Sequence, residues 1–577
     1  MAHARVAERS PVMTSPKFPS HPIYRSTCSA ISRSPTPRLS APAPTSFVKC
    51  PTPLRLPVSP TRDAAPRRAR PLVRVMVLKR IFSRAALQQS DDKREHKRTK
   101  TTKTDPKDLR APRRKFVVVT TAALPWMTGT SVNPLLRAVY LAKGDDTREV
   151  TLLVPWLAKK DQGIVYPRKT SFATPGEQET YILDWARQRV GFEPRIKVLF
   201  YPGRYATDKG SIVPVGDIAV RVPKGERDVA ILEEPEHLCW FHPGARWTSR
   251  FKHVVGIIHT NYLEYARREE NGEQKEQVLR WINHLTTRCH THKVIKLSDA
   301  VQEYARSITQ NVHGVSNGFI TGGREKAKRI KKDGAAAFNR GAYFIGKCVW
   351  AKGYSELMHV VGDFNDKYAN GPSEILTMDV YGDGDDFPAV KAAVEEQKLP
   401  LNLLGRLDHA DPKILDYKVF INPSLSDVVA TTSAEALAMG KFVVCAKHPS
   451  NEFFATFTNC RTYSNMDEFA QCIREVTTSM PKPLTDEELH RLTWEAATER
   501  LLDSAAPCDE TKYTLKSHVA DWFGARFHYA VVASESLRCL IGGGAGTLEP
   551  PEDLANWDPD SWAGGLMDRK PSESATG

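Results

Sequence analysis

From Lys115 onward the chain repeats one pattern: a short run that is apolar along its whole length, a turn, and then a stretch of helical periodicity. Phe116–Val119, Val150–Val154, Ile196–Phe200, Asp228–Leu232 and Val254–Ile258 are such runs, with helical segments such as 134–143 and 177–190 between them. Continuous rather than alternating apolarity is what a strand buried on both faces requires. Strand–helix–strand repetition then implies a parallel sheet covered by helices on either side. A Gly- and Lys-rich stretch from Gly322 to Gly334 interrupts the pattern and reads as an interdomain linker. Beyond it the alternation restarts with Tyr343–Ile345, Met378–Tyr381, Leu401–Leu404, Val419–Ile421 and Phe442–Cys445. A helix from Gly353 carries Leu357, Met358 and Val361 on one face. The expected fold is therefore α/β: two doubly wound, Rossmann-like domains, 115–325 and 335–505, facing across a cleft at the carboxyl ends of their strands. A helix near Tyr513 to Phe523, within 506–541, is expected to cross back to the first domain. The Gly-, Pro- and Asp-rich end, 542–577, is expected to be flexible.

Charge restricts the class of partner. The 577 residues carry a formal net charge of +15, but residues 1–115 hold 27 Lys+Arg against 7 Asp+Glu, which is +20 and leaves −5 for the rest. A nucleic-acid enzyme would carry its basic surface on the folded body, so that class is disfavoured. The first 90 residues contain only Glu8 and Asp63 as acids, among many Arg, Ser, Thr and Pro. This is the composition of a disordered organellar transit segment. A charged linker, 91–114, follows. No run of 18 apolar residues exists to span a bilayer. The ten cysteines form no CxxC pair, and Cys289, His290 and His292 lack a second cluster, so no metal site is expected.

Three elements of the second domain carry chemistry. Gly346–Gly353 holds Lys347 and Lys352 where a strand gives way to a helix, and both can meet a diphosphate helped by backbone N–H groups. A pair of solvated surface lysines would look the same. Tyr381-Gly382-Asp383-Gly384 is a strand followed by a tight turn, either an open backbone for a ligand or a simple loop. Asn422–Asp427 is followed after seven residues by Glu435, so Asp427 from a loop and Glu435 from a helix's first turn can flank a nucleotide sugar. Thr431–Ser433 can cap that helix, and Thr432 with Glu435 also fits a capping box without chemistry.

In this order, GK-x4-KG, YGDG and D-x7-E, the elements resemble the nucleotide domain of retaining glycosyltransferases of family four, which have the GT-B fold. The strings Leu232–Leu238, Arg246-Trp247, Val255–Tyr265, Asn311–Val315, Ala434–Gly440 and His448–Phe453 are more specifically similar to the digalactosyldiacylglycerol synthases, over about 115–505. The resemblance implies UDP-galactose as donor and a galactolipid, monogalactosyldiacylglycerol, as acceptor. Lys347 and Lys352 would bind the donor diphosphate, with Gly382 near it. Glu435 would hold the ribose, flanked by Thr431 and Thr432. Asp427 would stand near the transferred sugar, where the wider family has Glu. Gly129 and Thr130, in a first-domain loop with one glycine rather than two, would approach the donor. His259, at a strand end, would face the sugar; a buried structural histidine is the alternative.

No tightly bound ion is needed, although Mg²⁺ stimulation is compatible with this scheme. For an acceptor in a membrane, the mixed aromatic and basic segment Trp240, Phe241, Arg246, Trp247, Arg250, Phe251 and Lys252 suits an anionic chloroplast envelope surface, and the basic residues 324–332 can add to it. Other donors or acceptors on the same fold, or a catalytically silent scaffold, are the competing readings. Oligomeric state is not legible.

Overall fold

A computed structural model describes residues 108–536, apart from 168–169, 208, 241, 268–271, 508–514 and 535. The expected transit segment, most of the charged linker, the flexible end and Phe241 therefore lie outside the described residues.

The first sheet contains β1 (Lys115–Val119), β2 (Glu149–Leu157), β3 (Lys197–Ala206), β4 (Ser211–Pro214), β5 (Val229–Glu233), β6 (His253–Ile258), β7 (Lys293–Lys296) and β8 (Ser307–Thr309) in the order β4-β3-β2-β1-β5-β6-β7-β8. Only the β3–β4 pair is antiparallel among these. The second sheet contains β9 (Arg340–Ile345), β10 (Met378–Tyr381), β11 (Leu401–Gly405), β12 (Tyr417–Asn422), β13 (Phe442–Ala446) and β14 (Cys460–Tyr463) in the order β11-β10-β9-β12-β13-β14, all parallel. All ten apolar runs fall on strands. The four strands that sequence periodicity passes over, β4, β7, β8 and β14, are short, and Lys293, Lys296, Arg461 or Ser and Thr residues interrupt their apolar character.

Both faces of the second sheet are packed. Phe344, Val380, Ile421 and Val444 enter one apolar cluster, and their neighbours Tyr343, Tyr381, Phe420 and Val443 enter another on the opposite face. Such double coverage is why the runs are apolar throughout. In each sheet the strand order reverses once along the chain, between β1 and β5 and between β9 and β12. A crevice opens at such a switch point, outside the carboxyl ends of the two diverging strands. The loops after β9 and β12 are the two charged motifs of the sequence.

Two expectations about connections are corrected. The stretch 322–334 lies between the two sheets but is not a break in regular structure: it belongs to the helix Asn317–Asp333. Gly323 is there because a Cβ would lie 1.9 Å from the Ala438 carbonyl oxygen, so it allows this helix to press on the helix Thr431–Ala438. The return to the first sheet also comes earlier than expected. The helix Trp494–Ser504 already joins the first core, with Trp494, Ala497, Leu501 and Leu502 in one cluster with Phe116 and Val118. Trp494 stacks on Tyr140 at 6.1 Å. The helix Leu515–Ala533 packs on the helix Gly272–His290 and is tied to it by Asp521, which pairs with Arg288 at 2.6 Å.

Candidate functional site

The loop after β9 is held by close backbone packing. Gly353 has φ of +91° and begins the helix Tyr354–Lys367; a Cβ there would lie 2.8 Å from Ser424 Cα. The Ser426 hydroxyl donates to the Ala351 carbonyl, tying this loop to the one after β12. The result brings Lys352 Nζ to 2.6 Å from Asp427 Oδ1. Burial works against the lysine's charge, but the Asp427 carboxylate and the Tyr265 hydroxyl hold its pKa above the usual lysine range. Tyr265 comes from the helix Tyr262–Arg267 on the first-sheet side. Lys347 is not part of this cluster; it is exposed and has Asp385 as its acidic neighbour at 3.7 Å. Gly382 has a packing role: a Cβ would lie 2.2 Å from the Gly346 carbonyl oxygen and 2.3 Å from the Tyr354 hydroxyl.

The helix Thr431–Ala438 starts after Ala430, and no side chain caps it. The capping-box alternative for Thr432 and Glu435 is therefore not realised. Glu435 instead meets His409, with Nδ1 2.6 Å from Oε2, and His409 Nε2 lies 2.8 Å from the buried Tyr343 hydroxyl. This chain of contacts aims the carboxylate. Thr431 and Glu435 line a cleft of about 190 Å³ together with Gly129, Thr128 and Asn133 from the start of the helix Gly129–Lys143. Gly129 and Glu435, from opposite sheets, are thus brought together. Thr432 is half-buried on the same first turn and does not line that cleft. Thr130 Oγ1 lies 3.1 Å from Thr128 Oγ1, and its carbonyl accepts from the Thr120 hydroxyl.

His259 directly follows β6 and lies against Glu233, the last residue of β5. Glu233 is fully buried and also accepts from Arg137 Nε at 2.6 Å, while Arg137 donates to the Val312 carbonyl at 2.8 Å. Burial alone would raise the Glu233 pKa; Arg137 and His259 reverse this and hold it below the usual carboxylate range. The His259 ring lies 5.0 Å from that of buried His313. Next in sequence, Glu234 adopts a left-handed backbone, φ 65°, and accepts from Thr121 at 2.9 Å, from Thr260 and from Tyr262. Left-handed carboxylate residues at a switch point are a strained arrangement associated with functional sites.

Two aromatics of the segment suggested for a membrane are interior. Trp247 and Phe251 are buried and stacked on each other at 5.4 Å. Arg250 pairs with Asp217, and Lys252 lies 3.3 Å from Asp228. Trp240 and Arg246 are half-buried. Mixed aromatic and basic residues do not distinguish a membrane face from a core edge whose charges have partners. In the basic stretch, Lys326 is likewise buried and donates to the Ala337 carbonyl at 2.7 Å.

Sequence reasoning gave no role to His409, Arg137, Glu233, Glu234 or Tyr265. The strings Leu232–Leu238 and Val255–Tyr265 contain three of them, but only the fold shows that these strings meet at one strand-end crevice. No family model matches the chain. The digalactosyldiacylglycerol synthase 2 of Lotus japonicus is 46% identical over 456 residues, covering 76% of this chain and 96% of that protein. The synthase 2 of Arabidopsis thaliana is 44% identical, covering 76% and 94%. The Arabidopsis thaliana synthase 1 is 49% identical over 391 residues, and the chain spans about half of that longer protein, 48%. A solved structure of Anabaena HepE with UDP aligns at 14% identity over 72% of this chain and 100% of its own, with a TM-score of 0.39. With near-complete coverage of the synthase 2 proteins at well over 30% identity, the chain belongs to the digalactosyldiacylglycerol synthases.

Proposed function

We propose that the chain transfers galactose from UDP-galactose to monogalactosyldiacylglycerol with retention of configuration, making digalactosyldiacylglycerol. Family membership supports the product, because the relatives are named for it. The observation that carries the donor assignment is the union of Gly129, Thr431 and Glu435 in one cleft, together with the pairing of Lys352 and Asp427 from the loops after β9 and β12. Residues 115–325 bind the acceptor in this proposal and 335–505 the nucleotide sugar.

Glu435, aimed by His409, accepts hydrogen bonds from the ribose hydroxyls. Lys352 stabilises the diphosphate, with exposed Lys347 recruited to it. Before the donor enters, Asp427 occupies the lysine's charge. A diphosphate displaces it and leaves the carboxylate free to accept from hydroxyls of the transferred sugar. The departing diphosphate takes the acceptor proton on the same face. Each well-placed cation or N–H at that developing charge contributes about 3 kcal/mol to the transition state. No tightly bound metal is required, and Mg²⁺ can stimulate. His259, fixed by Glu233, borders the sugar from the first sheet.

The relatives are named chloroplastic, and no helix among the described residues is long and apolar enough to cross a membrane. In this proposal the enzyme works in the chloroplast and meets its acceptor at an envelope surface. The test mixes the full chain with labelled UDP-galactose and liposomes containing monogalactosyldiacylglycerol. A lipid product heavier by one hexose is expected. Consumption of donor without labelled lipid would reject this acceptor, and neither binding nor consumption would favour a silent scaffold.

A further inference from the structure

The proposed acceptor lies in a bilayer, and the segment expected to reach it is largely buried. The exposed apolar surface lies elsewhere, on two helices packed side by side. Helix Gly272–His290 presents Val278 and Trp281, and helix Leu515–Ala533 presents Trp522, Phe523, Phe527 and Tyr529. Each of the six is roughly half exposed or more, 49–62%. Trp281 and Phe527 meet edge to face at 5.3 Å, so the two helices form one surface. A single exposed aromatic needs no explanation, whereas a contiguous group of them marks a contact site.

At its margin the patch borders a cavity of about 470 Å³, lined by Trp522, Tyr529, Arg246, Arg526 and the histidines 242, 290 and 528. No carboxylate is among the lining residues. Arg526 lies over the Trp522 ring at 5.2 Å. His290 is 2% exposed, and its Nε2 has no hydrogen-bond partner. A cavity offering two guanidinium groups and an unpartnered buried ring nitrogen suits an anionic oxygen-rich group such as a phosphate.

We propose that this two-helix face docks on a bilayer: Trp522, Phe523 and Phe527 enter the interface, and the cavity with Arg246 and Arg526 receives a lipid phosphate. Trp and Tyr beside arginine are the side chains that favour the boundary between acyl chains and head groups. This inference rests on the transfer reaction proposed above, which makes a lipid surface the occupant. A second copy of the chain would not require a cavity lined without carboxylates at the edge of the apolar surface.

The full chain would be sedimented with vesicles of monogalactosyldiacylglycerol and phosphatidylcholine, with and without phosphatidylglycerol. A triple variant, Trp522→Ser, Phe523→Ser and Phe527→Ser, is expected to bind at least about tenfold more weakly to either vesicle. Arg246→Gln with Arg526→Gln is expected to abolish only the gain due to phosphatidylglycerol. Turnover of acceptor dispersed in detergent should be the same for the triple variant and the unaltered chain, which also establishes that the variant folds. Vesicle binding by the triple variant within twofold of the unaltered chain would overturn the proposal. So would a dimer of the unaltered chain that the triple variant loses. If neither protein transfers galactose in detergent, the transfer reaction fails while sedimentation still decides the docking.

Discussion

The two sheets treat charge in opposite ways. On the first, Arg137 and Glu233 are sealed, with side chains 1% and 0% exposed, and His259 completes a closed group of three. On the second, Lys352 and Asp427 remain 35% and 15% exposed, and Glu435 21%. Both groups stand at strand ends beside a switch point. The first pairs its charges with one another inside the protein, so it acts as a post that ties the helix Gly129–Lys143 to the ends of β5 and β6. The second pairs its charges with partners a ligand can replace. The same residue types are thus structural in one sheet and available for binding in the other, and exposure makes the difference. Breaking the sealed group should have the largest effect on stability. Glu233→Gln leaves Arg137 buried without its counter-charge and should cost about 3–5 kcal/mol of folding free energy, measured by denaturant unfolding. A loss below about 1 kcal/mol would mean that the group relaxes and that the contrast is false.

The exchangeable pair should behave the other way. Lys352→Ala removes a cation at the departing diphosphate and should reduce kcat/KM about 100-fold. Folding stability should stay within about 1 kcal/mol, since an ion pair open to water on one side contributes little. Steady-state kinetics with UDP-galactose, beside a thermal melt, separates the two effects. A fall in activity of less than tenfold would count against the assigned role, and a large drop in stability would make Lys352 a post like Arg137.

The same contrast explains what could be read before folding. All ten apolar runs became strands, and the helices at 134–143 and 177–190 were found with their ends extended, because burial on both faces leaves a continuous signal. Lys352, Asp427 and Glu435 were legible as candidates because each belongs to a motif of fixed spacing, although Lys352 and Asp427 come from different loops. Arg137, Glu233 and His409 were not, since their partners are 96, 96 and 26 residues away and no local spacing announces a contact made through the sheet. Trp247 and Phe251 misled for a related reason: Trp247 has the same composition signature whether it meets lipid or Phe251. The Gly322–Gly334 stretch looked like a break because glycine is a poor helix former, but Gly323 is there for the close approach of Ala438.

Histidines extend the comparison to pH. On the first-sheet side, burial lowers the pKa values of His242, His253, His290, His292, His313 and His528. On the second sheet His448 is the histidine with a lowered value among the described residues. For His292 burial, with His253 stacked on it at 5.7 Å, brings the value from 6.5 down to about 4. Its Nδ1 accepts from the Val254 N–H at 3.0 Å, so a proton there would also break a contact with β6. The unfolded chain binds the His292 proton near pH 6.5 and the folded one near 4. The unfolded state therefore holds more protons across that window, and stability must fall as pH drops from about 6.5 to about 4. Above pH 6.5 these groups give no slope. Hydrogen exchange should find β6 opening with acid before β12 does, and His292→Asn, which keeps an acceptor but cannot titrate, should lose about 2.5 kcal/mol less than the unaltered chain between pH 6.5 and 4. Equal opening of β6 and β12, or an identical pH slope in His292→Asn, would place the acid sensitivity outside the first sheet and remove this part of the contrast.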